Sequence, residues 1–293
     1  MEIQPIFIMG SARSGTTLLA SMIANSQRVA SYKAETLLMY GCDKTYGKLS
    51  SVSAKKRFAT DWVKSRQYRR LGLAEGVALD HLAKAASYDE LVKLLMDDLA
   101  RTQGKLAWLD STPANVYALR AIGKRFPNAK VIHIIRDGRA VAASLRKLGW
   151  TTIAGTSQFG ALQYSALKWA AAVQSFQRDN HYIAGGVLEV TYESLVTEAD
   201  SVLDAVWRYL EFSGDDIPSS LFSDDSAEAS MGKMASNSAF GCLGSGVRFV
   251  DIATYPFGHA CIYIRYQNDS ETRRAFAVVV LNAVGAARGL AYS

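Results

Sequence analysis

Residues 10–17 read Gly-Ser-Ala-Arg-Ser-Gly-Thr-Thr, and this stretch decides how the whole chain is interpreted. An apolar run at residues 5–9 (Pro-Ile-Phe-Ile-Met) precedes it, and an apolar helical pattern at residues 18–24 follows it. This order predicts a buried strand, a loop bracketed by two glycines, and a helix that begins at the end of the loop. The glycines let the amide hydrogens of the loop point inward, and the helix dipole adds partial positive charge there. The sequence therefore predicts a phosphate-binding site at residues 10–17.

The spacing of Gly10 and Gly15 matches a P-loop, G-x-x-x-x-G, but Thr16 stands where the lysine of a P-loop belongs. Enzymes that use nucleoside triphosphates place that lysine on the β- and γ-phosphates. Its absence argues against a metal-dependent triphosphate site. The cation of this loop is Arg13, two residues before Gly15. A loop with phosphate-binding amides and a displaced cation suits a single phosphate that carries a transferable group.

A second phosphate motif begins at Arg136. Residues 131–135 (Val-Ile-His-Ile-Ile) predict a buried strand, and Arg136 follows it directly at the start of a predicted helix. Arg136 would lie at the carboxyl end of a strand, where open parallel sheets bind their ligands. Ser144 lies eight residues further on, about two helical turns, so that both side chains can face one phosphate. Together the two motifs predict a ligand that carries two phosphate groups.

Both motifs resemble those of the sulfotransferases that use 3'-phosphoadenosine 5'-phosphosulfate (PAPS). Residues 13–17 fit the R/K-S-G-T-T loop of that family, and residues 136–144 fit its motif R-D-x-R-x-x-x-x-S. The resemblance implies that Arg136 and Ser144 bind the 3'-phosphate and that Arg13 stabilises the charge that develops during transfer. The residues implied to hold the 5'-phosphate are Arg13, Ser14, Gly15, Thr16 and Thr17.

Two weaker matches to the same family lie further along the chain. Residues 108–115 resemble a stretch x-K-T-P-x-N, although Ser111 replaces the usual lysine. Thr112 and Pro113 fit a helix start equally well, with Thr as the N-cap and Pro in the first turn. Residues 190–196 match the segment R-Y-E-D-L-V, which implies that Tyr192 reaches the nucleotide. A buried tyrosine at the end of a strand fits that position equally.

Transfer to an acceptor hydroxyl is helped by a group that takes its proton. Glu35 and Thr36 resemble the E-T pair of tyrosylprotein-type and many bacterial sulfotransferases, in which the glutamate is the proposed base. Cytosolic sulfotransferases for small molecules use a histidine instead. None of the four histidines here follows a recognisable motif; they are His81, His133, His181 and His259. We expect Glu35 to be the base, and a histidine base stays open as the alternative. If Glu35 is not the base, it is expected to be a solvated loop carboxylate.

The composition is that of a soluble globular enzyme, with 49% hydrophobic and 20% charged residues in a chain of 293. Lys and Arg outnumber Asp and Glu by 33 to 27, which suits a polyanionic nucleotide. No basic run with interleaved aromatics indicates nucleic acid. Cys42, Cys242 and Cys261 form no C-x-x-C pair, which predicts buried reduced thiols and no metal site. The first predicted strand begins near residue 5, so we expect a cytoplasmic protein or an excised domain, without membrane insertion.

Strands and helices alternate along the chain, which predicts an α/β fold: a P-loop-like parallel sheet flanked by helices, in a single sulfotransferase domain over residues 1–293. Residues 37–105 interrupt this pattern with helical stretches, including an amphipathic helix at residues 88–99. We expect this insert to form a cap on the acceptor side. Residues 149–159 are a candidate mobile loop. Trp169, in an amphipathic helix at residues 161–178, is expected in the core rather than against adenine.

Residues 213–293 resemble the family only loosely. Residues 260–266 alternate like a strand, where relatives more often have a helix. Family members bring a late nucleotide contact from this region. Lys233 and Arg248 are the candidates for that contact here.

The sequence therefore predicts a PAPS-dependent sulfotransferase that needs no metal and acts by in-line displacement on an acceptor hydroxyl. The acceptor (small molecule, carbohydrate or peptide) and the oligomeric state remain open. Two alternatives stay open as well: a P-loop kinase-like phosphotransferase, and a nucleotide-binding protein without catalytic activity.

Overall fold

The computed structural model describes residues 2–32, 34–46, 49, 51–148 and 158–218, together with the backbone of three strands between residues 247 and 281.

The architecture is built on a five-stranded parallel sheet. In chain order its strands are β1 (Gln4–Met9), β2 (Val29–Ser31), β3 (Ala107–Asp110), β4 (Lys130–Ile135) and β5 (Val187–Thr191). Their order across the sheet is β2-β3-β1-β4-β5. Phe7 lies beside Asp110 on one side and Val131 on the other, so the carboxyl ends of the central strands meet at one edge. The predicted parallel sheet is confirmed.

The strand order places the ligand crevice. After β1 the chain adds β2 and β3 on one side, and it then crosses to add β4 and β5 on the other. The loops that follow β1 and β4 therefore diverge at the point where the order reverses. Open α/β sheets bind their ligands outside the carboxyl ends of the strands at such a point. The two predicted phosphate loops are the loops at this position.

Helices cover both faces of the sheet. Those outside the insert are α1 (Thr16–Ile23), α7 (Leu119–Arg125), α8 (Gly138–Lys147), α9 (Gln158–Asp179), α10 (Tyr192–Thr197) and α11 (Ala199–Leu210). Those of the insert are α2 (Asp43–Tyr46), α3 (Val52–Phe58), α4 (Arg66–Leu71), α5 (Glu75–Lys84) and α6 (Tyr88–Thr102). Short π-helical segments occupy Leu38–Cys42 and Ala59–Val63, and 3-10 helices occupy Pro113–Tyr117, Asn180–Tyr182 and Gly214–Asp216. Residues 37–105 are thus largely helical, and their role as an acceptor-side cap stays a prediction.

Successive side chains of the strands pack alternately into two apolar cores, one on each face of the sheet. In β1, Phe7 and Met9 pack with the insert helices, whereas Ile6 and Ile8 pack with α1 and α11. The period of two along a strand puts successive side chains on opposite faces. A continuous apolar strand such as residues 5–9 therefore indicates a sheet that is covered on both sides.

Two details differ from the sequence prediction. β2 was not predicted, because a three-residue strand is too short for periodicity to detect. Helix α9 begins at Gln158, inside the stretch predicted as a mobile loop, and residues 149–157 of that stretch lie outside the described residues.

The C-terminal region contains an antiparallel meander of three strands, β6 (Val247–Thr254), β7 (Ala260–Tyr266) and β8 (Phe276–Leu281). The strand predicted at residues 260–266 is confirmed. Phe249 pairs with Ile264, and Ile262 pairs with Val279. Lys233 and His259 lie outside the described residues, and of Arg248 only the backbone is described.

Within the described residues, no helix is both long and apolar enough to cross a membrane.

Candidate functional site

The loop between β1 and α1 turns sharply because two of its residues have left-handed backbone. Gly15 is the N-cap of α1 with φ of 100°, and Arg13 has φ of 72°. Glycine adopts this conformation without cost, whereas an arginine is strained in it. At Gly10 a Cβ atom would lie 2.3 Å from the carbonyl oxygen of Ile134, so glycine is what lets β4 run so close to the loop.

Ser14 gives the loop an unsatisfied polar group. Its side chain is fully buried, and its hydroxyl has no hydrogen-bond partner among the described protein atoms. Thr16 is also buried, while Thr17 is exposed at the start of α1. A buried hydroxyl without a partner is costly, so the Ser14 hydroxyl is free to form a hydrogen bond with a ligand. A phosphate at this helix N-terminus meets that need.

Arg136 occupies the loop that follows β4. One of its terminal guanidinium nitrogens donates to the carbonyl oxygen of Arg13 at 3.3 Å, and its Nε is buried without a partner. Its guanidinium carbon lies 4.0 Å from the centre of the Tyr192 ring. Among the described residues no carboxylate pairs with Arg136, so the charge is held by backbone and aromatic groups and stays available to an anion.

The two phosphate motifs meet at Ser144. The Nε of Arg13 donates to the Oγ of Ser144 at 3.1 Å, although the two residues lie 131 positions apart in the chain. Arg13 also accepts the hydrogen bond from Arg136. The structure therefore brings Arg13, Arg136 and Ser144 close together, a contact between the two motifs that was not predicted from the sequence. In this arrangement the side chain of Arg13 points toward the second motif.

Tyr192 is the first residue of α10 and is buried against the first loop. A Cβ atom at Gly15 would lie 2.5 Å from its Cδ2 atom, so the ring packs directly on the glycine. The neighbouring Glu193 accepts a hydrogen bond from the backbone N–H of Asp137 at 3.1 Å. These two residues connect α10 to both phosphate loops. A contact between Tyr192 and the nucleotide stays a prediction.

Trp169 is placed differently from the core position predicted for it. It is half-buried, and its Nε1 donates to the carbonyl oxygen of Arg136 at 3.0 Å. A Cβ atom at Gly138 would lie 2.8 Å from the indole, so the ring packs on the first residue of α8. Periodicity locates Trp169 on the inner side of its helix but cannot show that this side meets the second phosphate loop.

Glu35 and Thr36 lie at the carboxyl edge of the sheet, beyond the end of β2. Glu35 is exposed, and Thr36 is fully buried and donates from Oγ1 to Asp110 at 2.7 Å. Neighbouring protein removes part of the hydration of Glu35, and Asp110 adds negative charge nearby. Both effects raise the pKa of Glu35. A carboxylate with a raised pKa is a better proton acceptor near neutral pH.

Thr112 and Pro113 begin a 3-10 helix, in agreement with the helix-start interpretation. The Thr112 hydroxyl does not cap this helix, however; it donates to Asp110 at 2.6 Å. Ser111, at the position where the family has lysine, is half-buried beside it. Asp110 was not predicted as a site residue, because it falls on an unspecified position of the family stretch at residues 108–115, at the end of an apolar strand.

The described histidines take part in other contacts. His133 is buried in β4, stacks on Phe176 with ring centres 3.7 Å apart, and lies 2.9 Å from a carboxylate oxygen of Glu189. Burial lowers the pKa of His133, which favours its neutral form. His81 contacts Asp98 at 2.6 Å, between α5 and α6. His181 lies in a short 3-10 helix.

Cys42 is a free, buried thiol, as predicted, and burial raises its pKa to about 12. Cys242 lies outside the described residues. In the part of the chain that the structure describes, no three His, Cys, Asp or Glu side chains are grouped as a metal site would require.

A family model described as "Sulfotransferase family" matches residues 5–216, which include both phosphate loops and Glu35. The chain belongs to this family, as the two motifs predict. Protein-tyrosine sulfotransferase 1 of Danio rerio is 26% identical over 215 residues, 72% of this chain and 54% of that protein. Protein-tyrosine sulfotransferase 2 of Gallus gallus is 26% identical over 219 residues, 73% of this chain and 53% of that protein. The chain thus spans about half the length of these curated relatives.

A solved structure shares the fold. The sulfotransferase domain from the Synechococcus PCC 7002 olefin synthase has 20% identity and a TM-score of 0.54, covering 78% of this chain and 80% of that domain. The likeness confirms the predicted fold class.

Proposed function

We propose that this chain is a sulfotransferase that moves a sulfuryl group from PAPS to an acceptor hydroxyl. The observation that supports this most directly is a pair of buried polar atoms without partners, the Oγ of Ser14 and the Nε of Arg136. They lie on two adjoining loops, which are joined by the hydrogen bond that Arg136 donates to the carbonyl oxygen of Arg13. Two unpaired hydrogen-bond donors on adjoining loops suit a ligand with two phosphate groups.

The roles in donor binding follow from the placement of the loops. The amides at the start of α1, with the hydroxyls of Ser14, Thr16 and Thr17, would hold the 5'-phosphate. Arg136 and Ser144 would hold the 3'-phosphate. The donor supplies the sulfuryl group, and adenosine 3',5'-bisphosphate is the product that leaves. The absence of the P-loop lysine fits this donor better than a nucleoside triphosphate.

The chemical step is an in-line displacement at sulfur. A bond forms between the acceptor oxygen and sulfur, and the bond between sulfur and the bridging phosphate oxygen breaks. The acceptor proton passes to the carboxylate of Glu35, whose pKa is raised by partial desolvation and, in addition, by the charge of Asp110. Arg13 would stabilise the negative charge that develops on the leaving phosphate.

The acceptor is a hydroxyl compound. Both vertebrate relatives are named protein-tyrosine sulfotransferases, which makes a peptide tyrosine the first acceptor to test. Small molecules and carbohydrates are the next classes. A cytoplasmic location stays a prediction from the sequence.

The test begins with ligand choice. Adenosine 3',5'-bisphosphate without metal should raise the melting temperature, and ATP with magnesium should raise it less. The opposite preference would favour the kinase-like alternative. Transfer of labelled sulfate from PAPS to tyrosine peptides, phenols and sugars then separates an enzyme from a non-catalytic binding protein.

The assignment of the base is tested by Glu35→Gln, which keeps the shape of the side chain and removes its basicity. Turnover should fall roughly a hundred- to ten-thousandfold, with binding of adenosine 3',5'-bisphosphate unchanged. Near-normal turnover in this variant, with loss of turnover on replacing a histidine, would move the base to that histidine.

A further inference from the structure

Asp110 carries a buried carboxylate that no cation in the described part of the chain neutralises. It is the last residue of β3, and its side chain is fully buried. It accepts four hydrogen bonds: from the Thr36 hydroxyl at 2.7 Å, the Thr112 backbone N–H at 3.0 Å, the Thr112 hydroxyl at 2.6 Å and the Asn115 side-chain amide at 3.1 Å. Four neutral donors therefore take the place of a salt bridge.

A carboxylate in this position is a costly way to hold a fold together. Burying a charge carries a large desolvation penalty, and apolar groups of the same shape often serve stability as well or better. The charge of Asp110 therefore calls for an explanation beyond packing. Its location supplies one, because β3 is adjacent to β1 and its carboxyl end lies at the same edge as the phosphate loop.

Thr36 links Asp110 to Glu35. Its Oγ1 also accepts from the backbone N–H of Leu38 at 3.2 Å, and its own N–H donates to the Thr112 hydroxyl at 3.0 Å. Its carbonyl oxygen accepts from Trp62 Nε1 at 3.3 Å. Every polar group of Thr36 is thus hydrogen-bonded inside the protein. Glu35, although exposed, is joined to a residue that cannot shift without breaking this network.

We propose that Asp110 is a positioning residue for Glu35: through Thr36 it fixes the backbone that carries the base at the carboxyl edge of the sheet. The inference rests on the proposed function, in which Glu35 takes the acceptor proton. In this role, the hydrogen bond from Thr36 to Asp110 at the end of β3 holds the backbone next to Glu35 in place.

The charge of Asp110 acts on Glu35 as well. Desolvation is the larger cause of the raised pKa of Glu35, and the negative charge of Asp110 at the end of β3 raises it further. Burial raises the pKa of Tyr32, and the charge of Asp110 raises it further. A structural carboxylate that also makes the neighbouring base stronger accounts for the charge that stability alone does not require.

The experiment compares Asp110→Asn, Thr36→Val and Thr36→Ser in the full chain with PAPS and an acceptor. Thr36→Val removes the hydroxyl at nearly constant shape and should lower turnover at least about tenfold, because small displacements of a catalytic group are costly. Thr36→Ser keeps the hydroxyl and should recover most of that loss. Binding of adenosine 3',5'-bisphosphate should stay intact in both variants.

Asp110→Asn tests the role of the charge through the pH profile of kcat/KM, which would not change if Asp110 were purely structural. Loss of the negative charge lowers the pKa of Glu35, so the acidic limb of the pH profile of kcat/KM should shift to lower pH. Asp97→Asn is the matched control, because Asp97 is another buried carboxylate, 3.2 Å from the Trp108 Nε1 of the same strand and paired with Lys93. It should lower the melting temperature and leave the acidic limb in place.

The outcomes separate this inference from the proposed function. If Glu35→Gln abolishes turnover but Thr36→Val retains it, the positioning role is wrong and Glu35 remains the base. The same conclusion follows if folded Asp110→Asn keeps the acidic limb of the wild-type pH profile. Should Asp110→Asn not fold, the comparison of Thr36→Val with Thr36→Ser decides. If Glu35→Gln is fully active, Glu35 is not the base, and the inference fails with that assignment.

Discussion

Arg136→Ala should weaken binding of adenosine 3',5'-bisphosphate far more than it weakens binding of adenosine 5'-phosphate. The reason lies in the groups that surround the Arg136 guanidinium. One terminal nitrogen is satisfied by the carbonyl of Arg13, the ring of Tyr192 covers one face, and the Nε is buried without a partner. Because no carboxylate in the described residues competes for this charge, a phosphate would gain a charge-assisted hydrogen bond.

The size of the effect follows from the kind of contact. Losing a charged hydrogen bond in a partly buried site costs roughly 2–4 kcal/mol. At about 1.4 kcal/mol for each factor of ten, the preference for the 3'-phosphorylated nucleotide should fall roughly 30- to 700-fold. The contact is made in the ground state and the transition state alike, so kcat at saturating donor should change little.

Isothermal titration calorimetry with both nucleotides measures this preference directly. Lys124→Ala is the control for lost positive charge, because Lys124 is an exposed cation in the last turn of α7, which leads to the opposite end of β4. It should leave the preference unchanged. If Arg136→Ala also binds the two nucleotides with the wild-type preference, Arg136 does not read the 3'-phosphate.

Two further substitutions test how the loops act. Arg13→Ala should lower kcat roughly a hundredfold or more and weaken product-nucleotide binding less, because the charge of Arg13 matters most as the sulfur–oxygen bond breaks. Steady-state kinetics measures the loss of kcat, and calorimetry measures the loss of binding. Equal losses in both would make Arg13 a binding residue, in line with its contact to Ser144. Tyr192→Leu removes the ring beside Arg136 and should weaken nucleotide binding by roughly 0.5–2 kcal/mol, while Tyr192→Phe keeps it. Equal weakening in both Tyr192 variants would show that the hydroxyl contacts the nucleotide.

Much of the fold could be predicted from local pattern. Residues 5–24 specify strand, loop and helix by themselves, because an apolar run, two glycines and a helical period each act over a few residues. The same holds for the strand and helix around Arg136 and for α6 and α9. β2 escaped prediction, because three residues form a strand only where a neighbouring strand supplies the hydrogen bonds.

The candidate site was predictable in its residues but not in its connections. Short motifs point to Arg13, Arg136, Ser144 and Glu35 as candidate residues, because a phosphate or a proton requires particular side chains at particular places in a loop. Their roles stay predictions. Asp110 carried no such motif. It is a single acidic residue at the end of an apolar run, and only the folded chain surrounds it with donors from Thr36, Thr112 and Asn115.

The tertiary structure alone decided how these parts touch. The strand order β3-β1-β4 brings Asp110, the first phosphate loop and Arg136 to neighbouring positions at one edge of the sheet. The same packing puts the Tyr192 ring on Gly15 and the Trp169 indole on Gly138. Local sequence determines which residues can form a strand, a loop or a cap. Contacts between residues more than a hundred positions apart depend on which strands pair and which faces pack, and these follow from burying the apolar surface of the whole chain.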